Sequence, residues 1–511
     1  MPIALIIAVA SALWLLYSWR TRPKLKQKLP YVRFKGDNSR ARYQAESGKI
    51  LSKGYAQYIT KGLPFCMRDP TDPEKPMFIL PFRYLNEVKW RPEHVLSMWR
   101  HIDKQSILSK IGGPAITQEV ANAARQGLNR ALVHLIEPLH RACLAAYAKE
   151  MPPCPEWTPV HPYPLILKVF ASMSALVMVG PELGGLDSEW QSLSMGYVAA
   201  ALTGPGQVRN KYPTWLYWLS RYTNDAIKTM YRHRCRAGEL LAPVLQARID
   251  ATEELKAQGI KPRQGQRKFE DGVQWLYDAH AARGKKLTPD QLTQDLFVIM
   301  TASIHSTTGA GLAMLFDMIE HPDEVAEIRN EIAEVQSRHP TWTRQALGEL
   351  RILDSFMRES SRLHALTQLT NVNRVAAAPF TFKDGLAIPS GATLGFPSYH
   401  HNVDAAVHPH PDAFDAKRHL RKREEEPGNA HRFYFASATD DMINFGTGRH
   451  ACPGRFFAQE TLKLMLIHLL TSYEFKHAAE ETKETPRYVA NNLFLVPNPK
   501  LPVLFREKKM T

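Results

Sequence analysis

One cysteine near the C-terminus has neighbours that suit it to hold a large, flat ligand. Cys452 lies in the stretch 445–454, which reads FGTGRHACPG and is followed by a long apolar run. Glycines let the backbone approach such a ligand closely, because they lack the Cβ atom that would collide. Amide groups at the start of a following helix would stabilise a thiolate on Cys452. His450 is placed to meet an acidic group of the same ligand; a glycine-rich turn with an incidental buried cysteine is the alternative.

A second candidate site is a run of small hydroxylated residues between positions 301 and 308. The run lies in the middle of the longest predicted helix, 287–321, for which Thr288-Pro289-Asp290 supplies a start. Serine and threonine are poor helix formers, because their hydroxyls compete for backbone partners. The run therefore indicates either a helix packed closely against a neighbour or a hydroxyl-lined groove beside a bound cofactor.

Glu359 and Arg362 lie three residues apart on another predicted helix, 343–366. Positions i and i+3 share a helix face, so the two side chains can pair. An exposed pair of this kind contributes less than about 1 kcal/mol to stability. The spacing alone therefore assigns the pair no role.

Composition and charge restrict the class of protein. The 511 residues include 65 basic and 50 acidic side chains, for a formal net charge of +15. No basic stripe is interleaved with aromatic residues, so we expect no nucleic-acid binding; a membrane surface or an acidic protein partner fits better. The five cysteines are scattered and form no C-x-x-C pair. This pattern argues against a disulfide framework or a zinc site and favours a reducing compartment.

An apolar N-terminal segment predicts a membrane anchor. Residues 2–19 are almost wholly apolar, and basic residues follow from Arg20 to Lys28. This length barely spans a hydrocarbon core of ~30 Å, so we expect a short transmembrane helix, with a cleaved signal peptide as the alternative. The basic flank should stay in the cytosol. The expected organisation is an anchor over 1–19, a basic, proline-containing linker over 20–30 and a catalytic domain over 31–511.

The remaining patterns predict a mainly α protein of the α+β class, with small sheets. The segments 65–68 and 77–80 flank a Pro/Asp turn and predict a β-hairpin. The segments 380–382 and 393–396 predict a second hairpin. A Gly204-Pro205-Gly206 turn is expected to divide the helical region before it from the one after it.

The decapeptide at 445–454 resembles the haem-binding loop of the cytochrome P450 family. The order of the motifs is similar to that of microsomal members over essentially the whole chain. The resemblance implies that Cys452 is the axial thiolate ligand of the haem iron, an arrangement that favours O–O cleavage. It also implies that Phe445, His450, Arg374 and, more loosely, Arg125 contact the haem, the basic side chains at its propionates.

The same resemblance implies a structural role for three charged residues. Glu359 and Arg362 match the Glu-x-x-Arg pair of the family, and Arg418 matches the arginine of a Pro-x-x-Phe-x-x-x-Arg element. In the family these residues form a buried network behind the haem.

The hydroxylated helix departs from the usual family pattern. Most members have an acid followed by threonine, whereas this chain has His305 followed by Ser306 and Thr307. The variant is similar to fungal ent-kaurene-oxidase-like members, which act on terpenoids and other natural products. We expect Ser306 and Thr307 to assist oxygen cleavage, together with His305 if its imidazole relays protons.

The resemblance implies a monooxygenase in the endoplasmic reticulum membrane, single-pass, with its catalytic domain in the cytosol. It would contain haem b, use O2 and take electrons from NADPH through NADPH–cytochrome P450 reductase. The substrate would be a hydrophobic small molecule, such as a terpenoid or related secondary metabolite. We expect the pocket near residues 99–108, 297–301, 366–372 and 493–496. A haem-thiolate isomerase or dehydratase without net oxygenation is the main alternative, and a non-catalytic membrane haem sensor is another.

Overall fold

The computed structural model describes residues 29–72, 75–260, 268–364, 370–480, 485–491 and 494–508. The predicted anchor at 1–19 and most of the predicted linker at 20–30 lie outside these residues.

Helices account for most of the described chain. Their bounds are α1 Arg40–Gln57, α2 Leu85–Val88, α3 Met98–Ser106, α4 Gln118–Asn122, α5 Asn129–Glu150, α6 Pro162–Leu183, α7 Glu189–Lys211, α8 Ser220–Thr223, α9 Asp225–Ala257, α10 Gly272–Ala281, α11 Pro289–Glu320, α12 Pro322–Arg338, α13 Arg344–Glu349, α14 Arg351–Leu363, α15 Ser398–Asn402, α16 Arg418–Glu425 and α17 Arg455–Ser472. A π-helical turn, Ala123–Leu128, joins α4 to α5.

The strands are short and form small sheets. Their bounds are β1 Phe65–Arg68, β2 Pro76–Ile79, β3 Leu96–Ser97, β4 Thr158–Val160, β5 Asn371–Ala376, β6 Phe380–Thr381, β7 Ala387–Ile388, β8 Thr393–Phe396, β9 Tyr473–His477, β10 Tyr488–Asn491, β11 Phe494–Pro497 and β12 Val503–Glu507. The largest sheet has the strand order β1-β2-β8-β5-β3. The predicted mainly helical α+β architecture is confirmed.

The long predicted helix is α11, and its boundaries follow from local chemistry. The hydroxyl of Thr288 accepts a hydrogen bond from the amide of Gln291 at 3.2 Å, and Pro289 occupies the first turn, where its missing N–H has no cost. From Thr307 to Met318 every residue is buried. Two described helices, α6 and α11, are long and apolar enough to cross a membrane, but most of each lies inside the protein. Their apolar character is therefore explained by the core.

Three local predictions were wrong. The single helix predicted over 343–366 is divided at Leu350 into α13 and α14. Gly204-Pro205-Gly206 is not a turn, because α7 runs straight through it from Glu189 to Lys211. Gly204 instead permits close packing, since a Cβ atom there would lie 2.8 Å from Ile227 Cδ1 on α9. The strands at 380–382 and 393–396 do not pair with each other either: β6 pairs with β7, whereas β8 joins the largest sheet between β2 and β5.

A buried ion network joins α14 to α16. Glu359 and Arg362 are both fully buried, and Arg362 Nε and Nη2 donate to the two carboxylate oxygens at 2.9 and 2.8 Å. Arg418 Nε donates to the same carboxylate at 3.0 Å. Burial alone would raise the pKa of Glu359, but the hydrogen bonds and charge of Arg362, with His419 3.3 Å away, outweigh it and hold that pKa well below its usual range. The carboxylate is therefore ionised at neutral pH.

The arginines of this network also hold the loop that follows α15. Arg362 Nη1 donates to the carbonyls of Asn402 and Pro411 at 2.8 and 2.6 Å, and Arg418 Nη2 donates to that of Ala413 at 3.1 Å. Because buried carbonyls need partners, these contacts fix the loop against α14. The three residues predicted to form a network are in direct contact.

We predict that Glu359→Ala lowers the free energy of unfolding by about 3–5 kcal/mol, because it leaves buried arginine charge uncompensated. Urea denaturation would measure the change. Glu424→Ala is the matched control: Glu424 pairs with Arg351 at 3.1 Å, but both side chains are about half exposed, so its loss should cost less than about 1 kcal/mol. Equal effects of the two substitutions would contradict the assignment.

The same substitution should change the acid response. A carboxylate whose pKa is lower in the folded than in the unfolded state stabilises the fold fully above the unfolded-state pKa of ~4.3. This stabilisation is lost as the pH falls below that value. Below this pH the wild-type chain should lose stability more steeply than Glu359→Ala.

Candidate active site

A cavity of about 580 Å³ lies between the cysteine loop, the face of α11 and the segment around α3. Cys452, Phe445, His450 and Arg125 all line it, as do Ser306 and Thr307 of α11, whereas Arg374 does not. The structure therefore brings together residues that are more than three hundred positions apart in the sequence. Arg130, five residues after Arg125, is exposed and lines a separate cavity instead.

The Cys452 loop is shaped by backbone contacts. The amide of Cys452 donates to the carbonyl of Phe445 at 2.7 Å, which closes the loop. Gly448 adopts a φ of 64°, and a Cβ atom there would lie 2.3 Å from the carbonyl oxygen of Lys89, so only glycine fits. Phe445 packs edge-on against Phe435, with ring centroids 5.3 Å apart. The predicted need for glycine thus holds at position 448, although the close neighbour is protein backbone.

The surroundings of the Cys452 sulfur have opposing effects on its ionisation. Burial raises the pKa of the Cys452 thiol, whereas hydrogen bonds from the backbone amides of Gly454 and Arg455 and the charge of Arg455 lower it. These amides lie at the start of α17, and the positive end of that helix dipole also lowers the pKa of the thiol. Burial dominates, so a further positive neighbour, such as a metal ion, would favour the thiolate.

Cationic side chains gather around His450. Arg374 on β5 is buried, and its Nη1 donates to the carbonyl of Asn373 at 2.8 Å. Its Nε forms no hydrogen bond, and no carboxylate of the described residues forms an ion pair with it. Burial lowers the pKa of Arg374 to about 10, so it remains charged. Arg125 lies nearby and donates from Nη2 to the carbonyl of Arg449 at 2.7 Å.

His450 belongs to the same cluster but is neutral. Burial, together with the charges of Arg374, Arg125 and Arg449, lowers its pKa to about 4. Its Nε2 lies 3.1 Å from Glu93 Oε1, although the ring is not aligned for a hydrogen bond. The cluster is therefore a positively charged surface with one neutral donor, which suits an anionic group of a ligand.

The hydroxyls of α11 differ in their availability. Ser306 Oγ donates to the carbonyl of Ala302 at 2.7 Å, so its proton is engaged within the helix. Thr307 lines the cavity, and its hydroxyl donates to no described residue. Thr307 therefore has the freer proton, whereas the sequence pattern pointed first to Ser306.

His305 points to a different neighbour. Its Nδ1 lies 2.8 Å from the hydroxyl of Tyr163 on α6, and burial lowers the pKa of the ring. His305 is not among the residues that line the cavity. A proton relay through His305 stays a prediction, and the contact with Tyr163 gives the ring a packing role.

Of the four segments predicted to line the pocket, the structure confirms the first two. Residues of the first two, 99–108 and 297–301, line this cavity or an adjoining chamber of about 1100 Å³. Residues 366–369 and 493 lie outside the described residues, and neither space is lined by 370–372 or 494–496. Sequence reasoning also missed Glu93 and Tyr163, because neither belongs to a motif.

The site fits a haem on two independent grounds. Cys452 lines the cavity together with Phe445, and with the amides of Gly454 and Arg455 beside its sulfur it could hold an iron ion as a thiolate. Arg374 does not line the cavity, but its charge acts on His450, which does, and its Nε has no hydrogen-bond partner among the described residues. This basic group could meet a propionate.

We predict that Arg374→Met speeds haem loss by on the order of tenfold, since a charge-assisted hydrogen bond to a propionate is removed. The substitution should not lower the melting temperature of the haem-free chain, because a buried unpaired cation costs stability. Haem transfer to an acceptor protein and thermal unfolding are the two measurements. Arg130→Met is the control, and an equal rate of haem loss in both variants would contradict a role of Arg374 in binding.

Comparisons with known proteins agree with this fit. The chain is 33% identical to the cytochrome P450 monooxygenase cheE of Chaetomium globosum, with 94% of this chain and 91% of that protein covered. It is 34% identical to the cytochrome P450 monooxygenase ccsG of Aspergillus clavatus, with 93% and 92% covered. It is 31% identical to the pyrichalasin C-7 hydroxylase of Pyricularia grisea, again with 93% and 92% covered.

Solved structures share the fold. The retinoic-acid-bound cyanobacterial CYP120A1 has a TM-score of 0.67 at 16% identity, with 94% of this chain and 99% of that one covered. The cytochrome P450DA heme domain has a TM-score of 0.65 at 14% identity, with 95% and 99% covered. The family model described as Cytochrome P450 matches residues 206–505, which include the Cys452 loop and the Glu359 network. The chain therefore belongs to the cytochrome P450 family and is a monooxygenase, an oxidoreductase that binds haem iron.

Proposed function

We propose that this chain is a membrane-anchored haem-thiolate monooxygenase that inserts one oxygen atom of O2 into a bulky hydrophobic small molecule. The observation that carries the proposal is that Cys452 and Thr307 line the same cavity. The catalytic domain is 31–511, and the cofactor is haem b.

Each part of the site has a proposed task. Haem iron held by a thiolate supplies O–O cleavage when bound. Cys452 Sγ would hold the iron, and the amides of Gly454 and Arg455 donate to this sulfur. Arg374, Arg125 and His450 would hold the carboxylates of the cofactor. The network of Glu359, Arg362 and Arg418 keeps the supporting loop in place.

The proposed task of the Ser306 and Thr307 hydroxyls on α11 is to hold protons within the cavity. Thr307 Oγ1 is free to donate into the cavity, whereas Ser306 Oγ is engaged with Ala302 and accepts through its lone pairs. We therefore assign donation to Thr307 and the orientation of a water molecule to Ser306. His305 is held by Tyr163 and is assigned a supporting role in the position of α11.

The substrate class follows from the adjoining chamber and the relatives. Its volume of about 1100 Å³ exceeds the usual range for drug-sized ligands, so we infer a bulky substrate. The Pyricularia grisea relative is named as a hydroxylase of pyrichalasin at C-7. This supports a secondary metabolite as the substrate class, and a terpenoid is one candidate within it.

Charge and surface features support the proposed partners. The net charge of +15 suits an acidic electron donor, which we propose to be NADPH–cytochrome P450 reductase.

Trp215, Trp218 and Tyr222 are exposed, Trp215 by 74%, next to the chamber on the α7–α9 side. Such aromatic side chains suit a membrane interface. We propose a single-pass location in the endoplasmic reticulum membrane; sedimentation of a chain lacking residues 2–19 with membranes at high salt would contradict the anchor.

The alternative is an isomerase or dehydratase that uses the same cofactor without net oxygenation. It requires no donated protons at O2, so it gives Thr307 no task. Incorporation of isotopically labelled O2 into the product, measured with NADPH and the reductase present, separates the two functions. A product without label would overturn the proposed function.

We predict that Thr307→Val lowers product per NADPH and raises released peroxide more than Ser306→Ala does. The double variant Ser306→Ala/Thr307→Val removes both hydroxyls and should reduce coupling more than additively, by on the order of a hundredfold, the low end of the range for lost proton transfer. Ser303→Ala is the control, because Ser303 lines the same face of α11 and is assigned no proton. Coupling unchanged in the double variant would contradict the assignment of these hydroxyls.

A further inference from the structure

The cavity that contains Cys452 and the larger chamber are separated by a few shared side chains. Trp99, Ile116, Val298 and Ala302 line both spaces, and Trp99 is the largest of them. Trp99 lies on α3, a helix of nine residues. A helix this short is not stable by itself, so its position depends on contacts at its ends.

The N-terminus of α3 is held by Glu93. The Glu93 carboxylate accepts hydrogen bonds from the amides of Met98 and Trp99 at 3.1 and 3.3 Å and from Ser97 Oγ at 2.5 Å. Ser97 in turn caps the amide of Arg100 at 2.9 Å. The orphan donors of the first turn are thus satisfied by one carboxylate and one hydroxyl. The same carboxylate lies 3.1 Å from His450 in the Cys452 loop.

The C-terminus of α3 is held by Arg209 of α7. Arg209 Nη2 donates to the carbonyl of Lys104 at 2.6 Å and also to that of Gln105. These carbonyls belong to the last turn, where helices lack internal partners and cations are favourable. Ile107, which follows, has a φ of 49°, an unfavourable conformation for a β-branched residue. The end of α3 is therefore kept in place by its surroundings.

We propose that Glu93 and Arg209 are positioning residues that hold α3 by its two ends, and that they thereby keep Trp99 as the size-selective partition between the chamber and the Cys452 cavity. A carboxylate at the N-terminus and a guanidinium at the C-terminus both interact favourably with the helix dipole, so both contacts stabilise α3. We call these two contacts the α3 clamp. Through Glu93 and Arg209, the clamp also connects the Cys452 loop to α7. The inference rests on the proposed function in that the ligand must pass from the chamber to the haem.

The test compares two probes of different size that bind haem iron through the same group. Imidazole is small, and 1-tritylimidazole is bulky; stopped-flow absorbance gives the association rate constant of each with the haem-loaded, full-length protein. Trp99→Ala, Glu93→Ala and Arg209→Ala should raise the ratio of the bulky to the small rate constant by on the order of tenfold, the factor lost with one charge-assisted hydrogen bond.

Conservative and matched variants separate positioning from general destabilisation. Arg209→Lys keeps a donor for the α3 carbonyls, and Glu93→Gln keeps an acceptor, so both should return the ratio towards the wild-type value. Arg236→Ala is the control, because Arg236 also contacts α7, through Glu189 at 2.6 Å, but lies away from α3. Its ratio should stay within about twofold of wild type, well inside the effect of one charged hydrogen bond.

The outcomes are distinguishable. A ratio that is unchanged in haem-loaded Arg209→Ala and Trp99→Ala contradicts the partition, as does an equal rise of both rate constants. An equal effect of Arg209→Ala and Arg236→Ala contradicts a specific clamp. A wild-type chain that binds no haem contradicts the proposed function itself, independently of α3.

Discussion

Two opposite electrostatic demands meet around His450, and the rest of the site depends on satisfying them together. Burial raises the pKa of the Cys452 thiol more than its amide hydrogen bonds lower it, so a thiolate there would be favoured by a positive partner. The buried Arg374 needs a negative partner, because none of the described carboxylates pairs with it. A metal ion at the centre of a macrocycle with carboxylates at its edge answers both demands at once. Neither demand alone would define the ligand.

Outside the cavity, buried charges are compensated by other protein side chains. Glu359, Arg362 and Arg418 are buried and mutually satisfied, so they stabilise the loop between α15 and α16 without needing a ligand. Glu93 differs, because its carboxylate serves the end of α3 and approaches His450 at the same time. A single acidic side chain therefore connects the cofactor side of the cavity to the wall that faces the substrate chamber. The clamp proposed for α3 follows from this shared contact.

Local motifs made part of this arrangement predictable from the sequence. The Cys452 loop, the Glu359–Arg362 pair and the limits of α11 are set by neighbours within a few residues, and all three were predicted in the right places. The helix through Gly204 could not be predicted locally, because it is stabilised by close packing against α9. The partner of His305 is Tyr163, 142 positions away, and no spacing rule reports such a contact. Likewise, Arg209 reaches the end of α3 across 105 positions.

The central claim is that Cys452 is the thiolate ligand of a haem iron, and the absorbance spectrum of the reduced, carbon-monoxide-bound protein tests it most directly. The wild-type protein should show the red-shifted Soret band of thiolate-ligated haem, and Cys452→Ser should lose it. Cys235→Ser is the control, since Cys235 is an exposed thiol on α9, and it should keep the wild-type spectrum. Retention of the red-shifted band by haem-loaded Cys452→Ser would contradict the account.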